Sequence, residues 1–220
     1  MCFTISALYF CVIKYEKMSN YKALIFDLGR VVFPIDFKYT YEYWQEVTGI
    51  GKDKIKSIVE KLDIHNQFET GEATQKDFAD DINKALDCKM SEAEFERGWN
   101  AIFLPAYEGL NELLIELKKS YRMISLSNTN STHTKVWRER YKDTLQHFEV
   151  IFASQEIGAR KPNAPSYQVC LDYLKVPGKA VVFLDDKMEN LDGAAKLGIH
   201  GIEVRSFEQM VDDLKRMGIG

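Results

Sequence analysis

Four apolar stretches of this sequence are followed by side chains that could take part in catalysis. A carboxylate can act as a nucleophile or as a metal ligand, a hydroxyl group beside backbone N–H groups can hold an anion, and a lysine can neutralise a phosphate. Together they predict a site that binds an anionic group with the help of a cation. The residues are Asp27, Ser127 with Asn128, Lys161, and the adjacent pair Asp185 and Asp186.

Three of these residues also have ordinary structural explanations when each is considered alone. Asp27 lies in "FDLG", and Asp-x-Gly is common in turns, where the glycine lets the backbone bend sharply and approach a ligand. Ser127 could be the N-cap of the following helix, and Lys161 could lie in a solvated loop. Only their combination favours a functional site.

The acidic pair Asp185 and Asp186 indicates a cation more strongly. It ends the hydrophobic stretch "AVVFL", where two adjacent carboxylates repel each other and are costly to bury without a positive charge. Mg²⁺ prefers oxygen ligands of this kind. Asn190 could hold one of the carboxylates in place.

Five short apolar segments predict the β-strands that would position these residues. Each is rich in β-branched or aliphatic residues and is followed by a polar turn and a segment of helical periodicity. This alternation predicts an α/β fold, a Rossmann-like doubly wound parallel sheet whose ligands bind at the carboxyl ends of the strands. The predicted strands cover residues 22–27, 121–127, 149–154, 180–185 and 200–204.

The long interval between the first two predicted strands contains helix signals and no convincing strand. It predicts a small helical-bundle cap domain over residues 34–104, inserted after the first strand of a core domain formed by residues 21–33 and 105–220. A helix over 105–119 is expected to return the chain to the sheet, with Pro105 near its first turn.

Local signals within the cap support this assignment. Capping boxes are predicted at Thr74/Asp77 and Ser91/Glu94. Residues 65–72 are expected to form a loop facing the site, with Gly71 amid polar residues. The tryptophans and tyrosines of the cap are expected to pack in its core or on its surface.

Composition restricts the partners and the compartment. The 220 residues are 45% hydrophobic with a net charge of -4, which argues against nucleic acid as a partner. The four cysteines form no C-x-x-C pair, so a reduced, cytoplasmic setting is expected. Residues 1–20 are predicted to be an extension, with 1–17 lying upstream of the true start or poorly ordered; a weak membrane anchor is the alternative.

Four motifs of this sequence resemble the signature motifs of the haloacid dehalogenase superfamily of hydrolases. They are "IFDLGRVV", "SLSNTN", "ARKP" and "FLDDKMEN", and the resemblance covers residues 22 to about 217. The stretches "SNTNSTHTKVW", "SQEIGARKP" and "LDDKMENLDGAAKLGI" are most similar to the phosphatases of this superfamily that hydrolyse α-D-glucose 1-phosphate.

The resemblance implies a nucleophile and a magnesium site. Asp27 would attack phosphorus and form an aspartyl-phosphate that water then hydrolyses. Mg²⁺ would bind Asp27, the backbone carbonyl of Gly29 and Asp186 directly, and Asp185 either directly or through water.

The resemblance also implies a phosphate-binding set. Ser127 and the N–H of Asn128 would hold the phosphoryl oxygens, and Lys161 would balance their charge. Arg30 would meet either the substrate or the cap.

The sequence departs from the resemblance at Gly29, where most phosphatases of the superfamily have a second aspartate that protonates the leaving oxygen. The glucose 1-phosphatase-like group also has glycine there, so activity is still expected, with a preference for good leaving groups. Substitute proton donors could be His65, Glu69 or His133, although a structural role is the favoured interpretation for each.

The resulting prediction is a magnesium-dependent phosphatase of a small phosphorylated metabolite, a sugar phosphate, acting as a monomer or homodimer without nucleic-acid or membrane partners. Three alternatives stay open. A metal-free 2-haloacid dehalogenase shares the scaffold, a phosphomutase would normally need the acid that Gly29 replaces, and a weak phosphate-binding regulatory protein would show no turnover.

Overall fold

The computed structural model describes residues 20–220. The predictions for the extension, including those for residues 1–17, therefore lie outside the described residues except at Asn20. None of the helices in the described range combines the length and the apolar composition needed to cross a bilayer.

Five parallel β-strands form one sheet in the described chain, in the spatial order β3-β2-β1-β4-β5. All five predicted strands are present, with ends within two residues of those predicted, and the doubly wound α/β fold is confirmed. The strands are β1 (Ala23–Phe26), β2 (Arg122–Ser127), β3 (Ile151–Ala153), β4 (Val181–Asp185) and β5 (His200–Glu203).

Helices that follow the cap region cover both faces of this sheet. Alternate residues of β1 enter two separate apolar cores, with Leu24 and Phe26 on one face and Ala23 and Ile25 on the other. This is the two-residue period of a strand that is buried on both sides. The helices are α6 (Leu110–Lys118), α7 (Ser131–Arg140), α8 (Lys142–Leu145), α9 (Ser154–Ile157), α10 (Ala164–Leu174), α11 (Met188–Ala195) and α12 (Phe207–Arg216).

The helix predicted over 105–119 begins later than expected. It starts at Leu110, and its N-cap is Gly109, whose backbone is left-handed with φ 81°. Pro105 therefore lies five residues before the helix, and the prediction that it is near the first turn was wrong. A non-helical conformation is usual at an N-cap, and here it ends the preceding turn before the helix can extend backwards.

A helical region follows β1, as predicted. Its apolar residues, including Trp44, Phe78 and Trp99, form a core separate from those of the sheet. Both predicted capping boxes are present, at Thr74/Asp77 and Ser91/Glu94. The helices are α1 (Lys38–Thr48), α2 (Lys52–Val59), α3 (Ile64–Thr70), α4 (Gln75–Leu86) and α5 (Glu92–Trp99), followed by a 3-10 turn over Asn100–Ile102.

The segment 65–72, predicted to be a loop, is largely the helix α3. Gly71 ends this helix in the left-handed conformation, with φ 78°. A Cβ atom at Gly71 would lie 2.6 Å from the backbone oxygen of Gln155 in α9. The glycine therefore both terminates the helix and lets the helical region approach the core closely.

Candidate active site

The middle strands of the sheet bring three of the predicted site residues to one edge. Asp27 follows β1, Ser127 ends β2 and Asp185 ends β4, and β1 lies between the other two strands. The backbone N–H of Asp27 donates to the carbonyl of Leu184 at 2.9 Å, which continues the ladder beyond the last residue of β1. Parallel pairing thus places the nucleophile candidate beside the acidic pair.

Lys161 is almost fully buried, with 1% of its surface exposed, and it lies between two carboxylates. Its Nζ is 2.8 Å from Asp27 Oδ1 and 2.6 Å from Asp185 Oδ2. Burial alone would lower the pKa of Lys161, but the two carboxylates outweigh this effect and raise it. Lys161 is therefore a fixed positive charge, and the solvated-loop explanation does not hold.

Asp185 is fully buried, and both of its oxygens accept hydrogen bonds. Oδ1 accepts from the backbone N–H of Lys187 at 2.8 Å and from Asn190 Nδ2 at 2.9 Å, while Oδ2 faces Lys161. Asn190 thus holds a carboxylate, as the sequence suggested. These contacts make Asp185 the residue that fixes the Lys161 ammonium in position.

Asp186 differs from Asp185 in that its carboxylate lines a cavity. Its Oδ2 is 3.2 Å from Arg30 Nη1, and the Arg30 side chain is 51% exposed. Arg30 has a left-handed backbone with φ 64°, so the sharp turn after β1 is made at Arg30 rather than at Gly29, where it was expected. A non-glycine residue in this conformation is uncommon, and such residues occur often in functional sites.

The three aspartates form a cluster that could hold a metal ion. One carboxylate oxygen each from Asp27, Asp185 and Asp186 lies within 4.8 Å of the others. Burial raises the pKa of Asp27 to about 7; Lys161 opposes this shift, and the charges of Asp185 and Asp186 add to it. A donor set made only of oxygens suits Mg²⁺, whose charge would offset the repulsion.

The turn after β2 does not use Ser127 as an N-cap, which was the structural alternative for this residue. The cap of α7 is Asn130, whose side chain accepts from the backbone N–H of His133. Ser127 is the last residue of β2 and lines the cavity. Asn128 exchanges two hydrogen bonds with the backbone of Lys161, at 2.9 Å and 2.8 Å, and thereby fixes the segment that carries the lysine.

A cavity of about 300 Å³ lies above these strand ends. Its floor includes Asp27, Ser127, Lys161 and Asp186, and its opposite wall comes from the helical region and from the segment after β1. Of the predicted site residues, Asp185 does not line the cavity, whereas all the others do.

His133, considered as a proton donor, has both ring nitrogens engaged in the interior. Nδ1 lies 3.1 Å from Asn130 Nδ2, and Nε2 lies 2.9 Å from the carbonyl of Trp99. Nε2 therefore carries the proton, and Nδ1 accepts. Burial lowers the pKa of His133 to about 3, so the ring is neutral and serves to join the turn after β2 to the helical region.

The neutral state of His133 predicts an acid-dependent loss of stability. The unfolded chain binds a proton near the ordinary pKa of 6.5, whereas the folded protein does not until about 3, so the free energy of unfolding falls as the pH drops below 6.5. His133→Gln keeps a donor for the Trp99 carbonyl. In this variant the free energy of unfolding should decrease between pH 6.5 and pH 5 by about 1.5 kcal/mol less than in wild type. Urea unfolding at both pH values measures it. Equal falls in wild type and His133→Gln would contradict the assignment.

The other two proton-donor candidates form a contact between α3 and the segment before α10. Arg160 donates to Glu69 Oε2 from Nε at 2.9 Å and lies 2.8 Å from it through Nη2. His65 Nε2 is 3.6 Å from Glu69 Oε1, and burial lowers the pKa of His65. Glu69 is thus ion-paired rather than available as a free acid.

Two features of the site could not be found by sequence reasoning. Ile35 is the first, since a Cβ atom at Gly29 would lie 2.8 Å from Ile35 Cδ1, so the isoleucine fills the space beside the glycine. Arg160 is the second, and only its position next to Lys161 in "ARKP" distinguished it from other surface arginines.

Comparison with known proteins identifies one family and several relatives. The signature of the haloacid dehalogenase-like hydrolases matches residues 21–198. The sesquiterpene phosphatase astK of Aspergillus oryzae is 26% identical, with 84% of this chain and 91% of that protein covered. The D-ribitol-5-phosphate phosphatase of Bacteroides thetaiotaomicron is 20% identical, with 80% and 88% covered. The drimenol cyclase drtB of Aspergillus calidoustus is 27% identical over 82% of this chain, which spans only 33% of that longer protein.

Solved structures show the same architecture. A haloacid dehalogenase family enzyme of Bacteroides thetaiotaomicron, crystallised with magnesium and inorganic phosphate, superposes with a TM-score of 0.73 at 24% identity. The match covers 87% of this chain and 98% of that one. At this level of identity the likeness establishes the fold.

Proposed function

Because this chain belongs to the haloacid dehalogenase-like hydrolases, we propose that it is a magnesium-dependent phosphatase that forms an aspartyl-phosphate on Asp27. The family confirms the predicted hydrolase class. The proposal adds the reaction, the metal and the roles of the residues.

The observation that carries this proposal is the charge arrangement around Asp27. Its carboxylate is 2.8 Å from the buried ammonium of Lys161, lies in a cluster of three acids, and faces the cavity. A nucleophilic carboxylate must be ionised, and Lys161 favours that state. The acid cluster favours a metal-dependent reaction over a metal-free dehalogenase.

The proposed reaction has two steps at Asp27. A carboxylate oxygen of Asp27 bonds to phosphorus while the bond from phosphorus to the leaving oxygen breaks, and that oxygen keeps the electron pair and takes a proton from solvent. Water then attacks phosphorus, the bond to Asp27 breaks, and inorganic phosphate leaves as a proton passes to solvent. Such transfers depend mainly on positioning and charge stabilisation.

The residues present fit a magnesium ion. Asp27, the Gly29 carbonyl and Asp186 would hold it directly, while Asp185, whose oxygens already accept hydrogen bonds, would contact it through water. When bound, Mg²⁺ would neutralise charge on the phosphoryl oxygens. Asp185 would hold Lys161 beside Asp27 both with and without bound Mg²⁺.

The phosphate itself would be held by groups from the other strand ends. Ser127 and the backbone N–H of Asn128 follow β2 and face the same cavity, and Lys161 supplies the buried positive charge. Arg30, which is exposed and paired with Asp186, can reach either the phosphate or the rest of the substrate. Donors fixed before the reaction need no reorganisation when charge develops.

For the substrate, the sequence favours a sugar phosphate, and the D-ribitol-5-phosphate phosphatase relative supports that class. The sesquiterpene phosphatase relative instead supports a phosphorylated sesquiterpene. Both classes therefore belong in the assay.

The test is phosphate release from a panel of sugar phosphates, alkyl phosphates and aryl phosphates, with Mg²⁺ and after its removal by chelation. We expect release that requires Mg²⁺ and is lost in Asp27→Asn. Release from none of the esters, or equal release by Asp27→Asn, would overturn the proposed mechanism. Chloride release from 2-haloacids without metal would instead support a dehalogenase.

The missing acid at Gly29 gives a second prediction. An aspartate there would meet Ile35 Cδ1, the flexible end of its side chain, so Gly29→Asp should be combined with Ile35→Ala. If the new carboxyl protonates the leaving oxygen, hydrolysis of alkyl phosphates should rise on the order of 10²-fold. Aryl phosphates, whose leaving oxygens need no proton, should change little.

The control for this double variant is Ile35→Ala alone, which enlarges the cavity without adding an acid. Initial rates on one alkyl and one aryl ester separate the two effects. An equal change on both esters would show that the added carboxyl does not act on the leaving oxygen.

A further inference from the structure

The cavity wall opposite the aspartates is mainly hydrocarbon. Side chains from the segment after β1, from the helical region and from the connection to α6 contribute to it. They include Phe33, Ile35, Phe37, Val59, Trp99 and Phe103. A group bound against this wall loses contact with water and gains little hydrogen bonding in return.

Two of the polar side chains on the α1–α5 side of the cavity already have charged partners. His65 faces Glu69, and Glu69 is held by Arg160. Glu60 is exposed, with Lys56 4.0 Å away. The Tyr41 hydroxyl and the exposed Glu60 carboxylate remain. Two such groups are too few to pair with every hydroxyl of a polyol, so its other hydroxyls would be buried without partners.

Among the described residues, the site also lacks a proton donor beside the leaving oxygen. No carboxyl follows Asp27 at position 29, and Ile35 fills the adjoining space. An oxygen that departs there must carry the electron pair without a neighbouring acid. Phenolic oxygens and phosphate oxygens do this readily, whereas ordinary alcohols do not.

From these two features we infer that the substrate carries an apolar group joined to its phosphoryl group through an oxygen of low pKa. Aryl phosphates and prenyl-type diphosphates share this chemistry. The inference rests on the proposed phosphatase activity. It assigns an apolar group to the part of the substrate for which the sequence favoured a sugar. The cavity volume of about 300 Å³, which must also contain the phosphoryl group, restricts the apolar part to a small size.

The test compares kcat/KM with saturating Mg²⁺ for phenyl phosphate and dimethylallyl diphosphate against α-D-glucose 1-phosphate and D-ribitol 5-phosphate. We expect at least one apolar substrate to exceed both polar ones by about 10-fold or more. Within the aryl series, each added methyl group should raise kcat/KM by about 4-fold until the cavity is full. The aryl and diphosphate arms distinguish the two forms of linkage.

A matched pair of variants tests the wall itself. Val59→Thr replaces a methyl group at the cavity with a hydroxyl of similar size, and Val47→Thr makes the same change in α1 at a residue that does not line the cavity. Val59→Thr should lower the apolar-to-polar ratio of kcat/KM by about 5-fold. Val47→Thr should leave that ratio unchanged.

Two results would count against the inference, and they differ from each other. Polar substrates hydrolysed as well as or better than the apolar ones would overturn the inference while leaving the phosphatase intact. No release from any ester would overturn the proposed function and this inference with it.

Discussion

Asp27→Asn is expected to lower phosphate release on the order of 10⁴-fold or more, because it removes the only atom proposed to bond to phosphorus. Without metal, the Asp27→Asn variant should be at least as stable as wild type, because one of three carboxylates within 4.8 Å of each other loses its charge. Lys161 keeps its partner Asp185 at 2.6 Å, so no buried charge is left alone. Phosphate assays and thermal unfolding without metal measure the two effects.

The unfolding midpoints of wild type and Asp27→Asn test the charge and the metal site separately. A lower unfolding midpoint in Asp27→Asn would show that the Asp27 charge stabilises the metal-free fold, contrary to the expected relief of repulsion. Mg²⁺ should also raise the midpoint of wild type more than that of the variant, because binding to the folded state stabilises it and the variant lacks one ligand.

Lys161→Met is expected to destabilise the protein by about 3–5 kcal/mol, the range seen when one partner of a buried ion pair is removed. Methionine fills a similar volume, so the loss reports charge rather than a void. The buried carboxylates of Asp27 and Asp185 would then face each other without a cation. Urea unfolding gives the free energy, and activity should fall with it.

A control and a double variant make this prediction specific. Lys187→Met removes a cavity lysine that is exposed, and it should change stability by less than about 0.5 kcal/mol. In the Asp27→Asn background, Lys161→Met should cost less than in wild type, because one of the carboxylates that it leaves uncompensated is already neutral. Equal costs in both backgrounds would rule out the electrostatic account.

The sequence predicts which residues meet in the site wherever the arrangement of the strands alone brings them together. Asp27, Ser127 and Asp185 could be predicted to meet because each ends a strand, and parallel strands present their carboxyl ends at one edge. Capping boxes were equally predictable, since the two partners of Thr74/Asp77 lie within one turn. Contacts of this kind depend only on local spacing or on the topology of the sheet.

Contacts between distant segments could not be predicted in this way. Ile35 fills the space beside Gly29, and Arg160 meets Glu69, through the packing of the helical region on the core. The helix α3 was taken for a loop because its short run of polar residues lacks a clear apolar period, and tertiary contacts outweigh so weak a local preference.

Gly71 has a consequence for how this protein can diverge. Any other residue there would need a left-handed backbone and would push against the Gln155 oxygen, which a Cβ atom would approach to 2.6 Å. Relief of that contact would move α3 away from the core, together with His65 and Glu69, which line the cavity. The size of the cavity is therefore limited in part by a residue that does not line it, and a single mutation at Gly71 is expected to enlarge it.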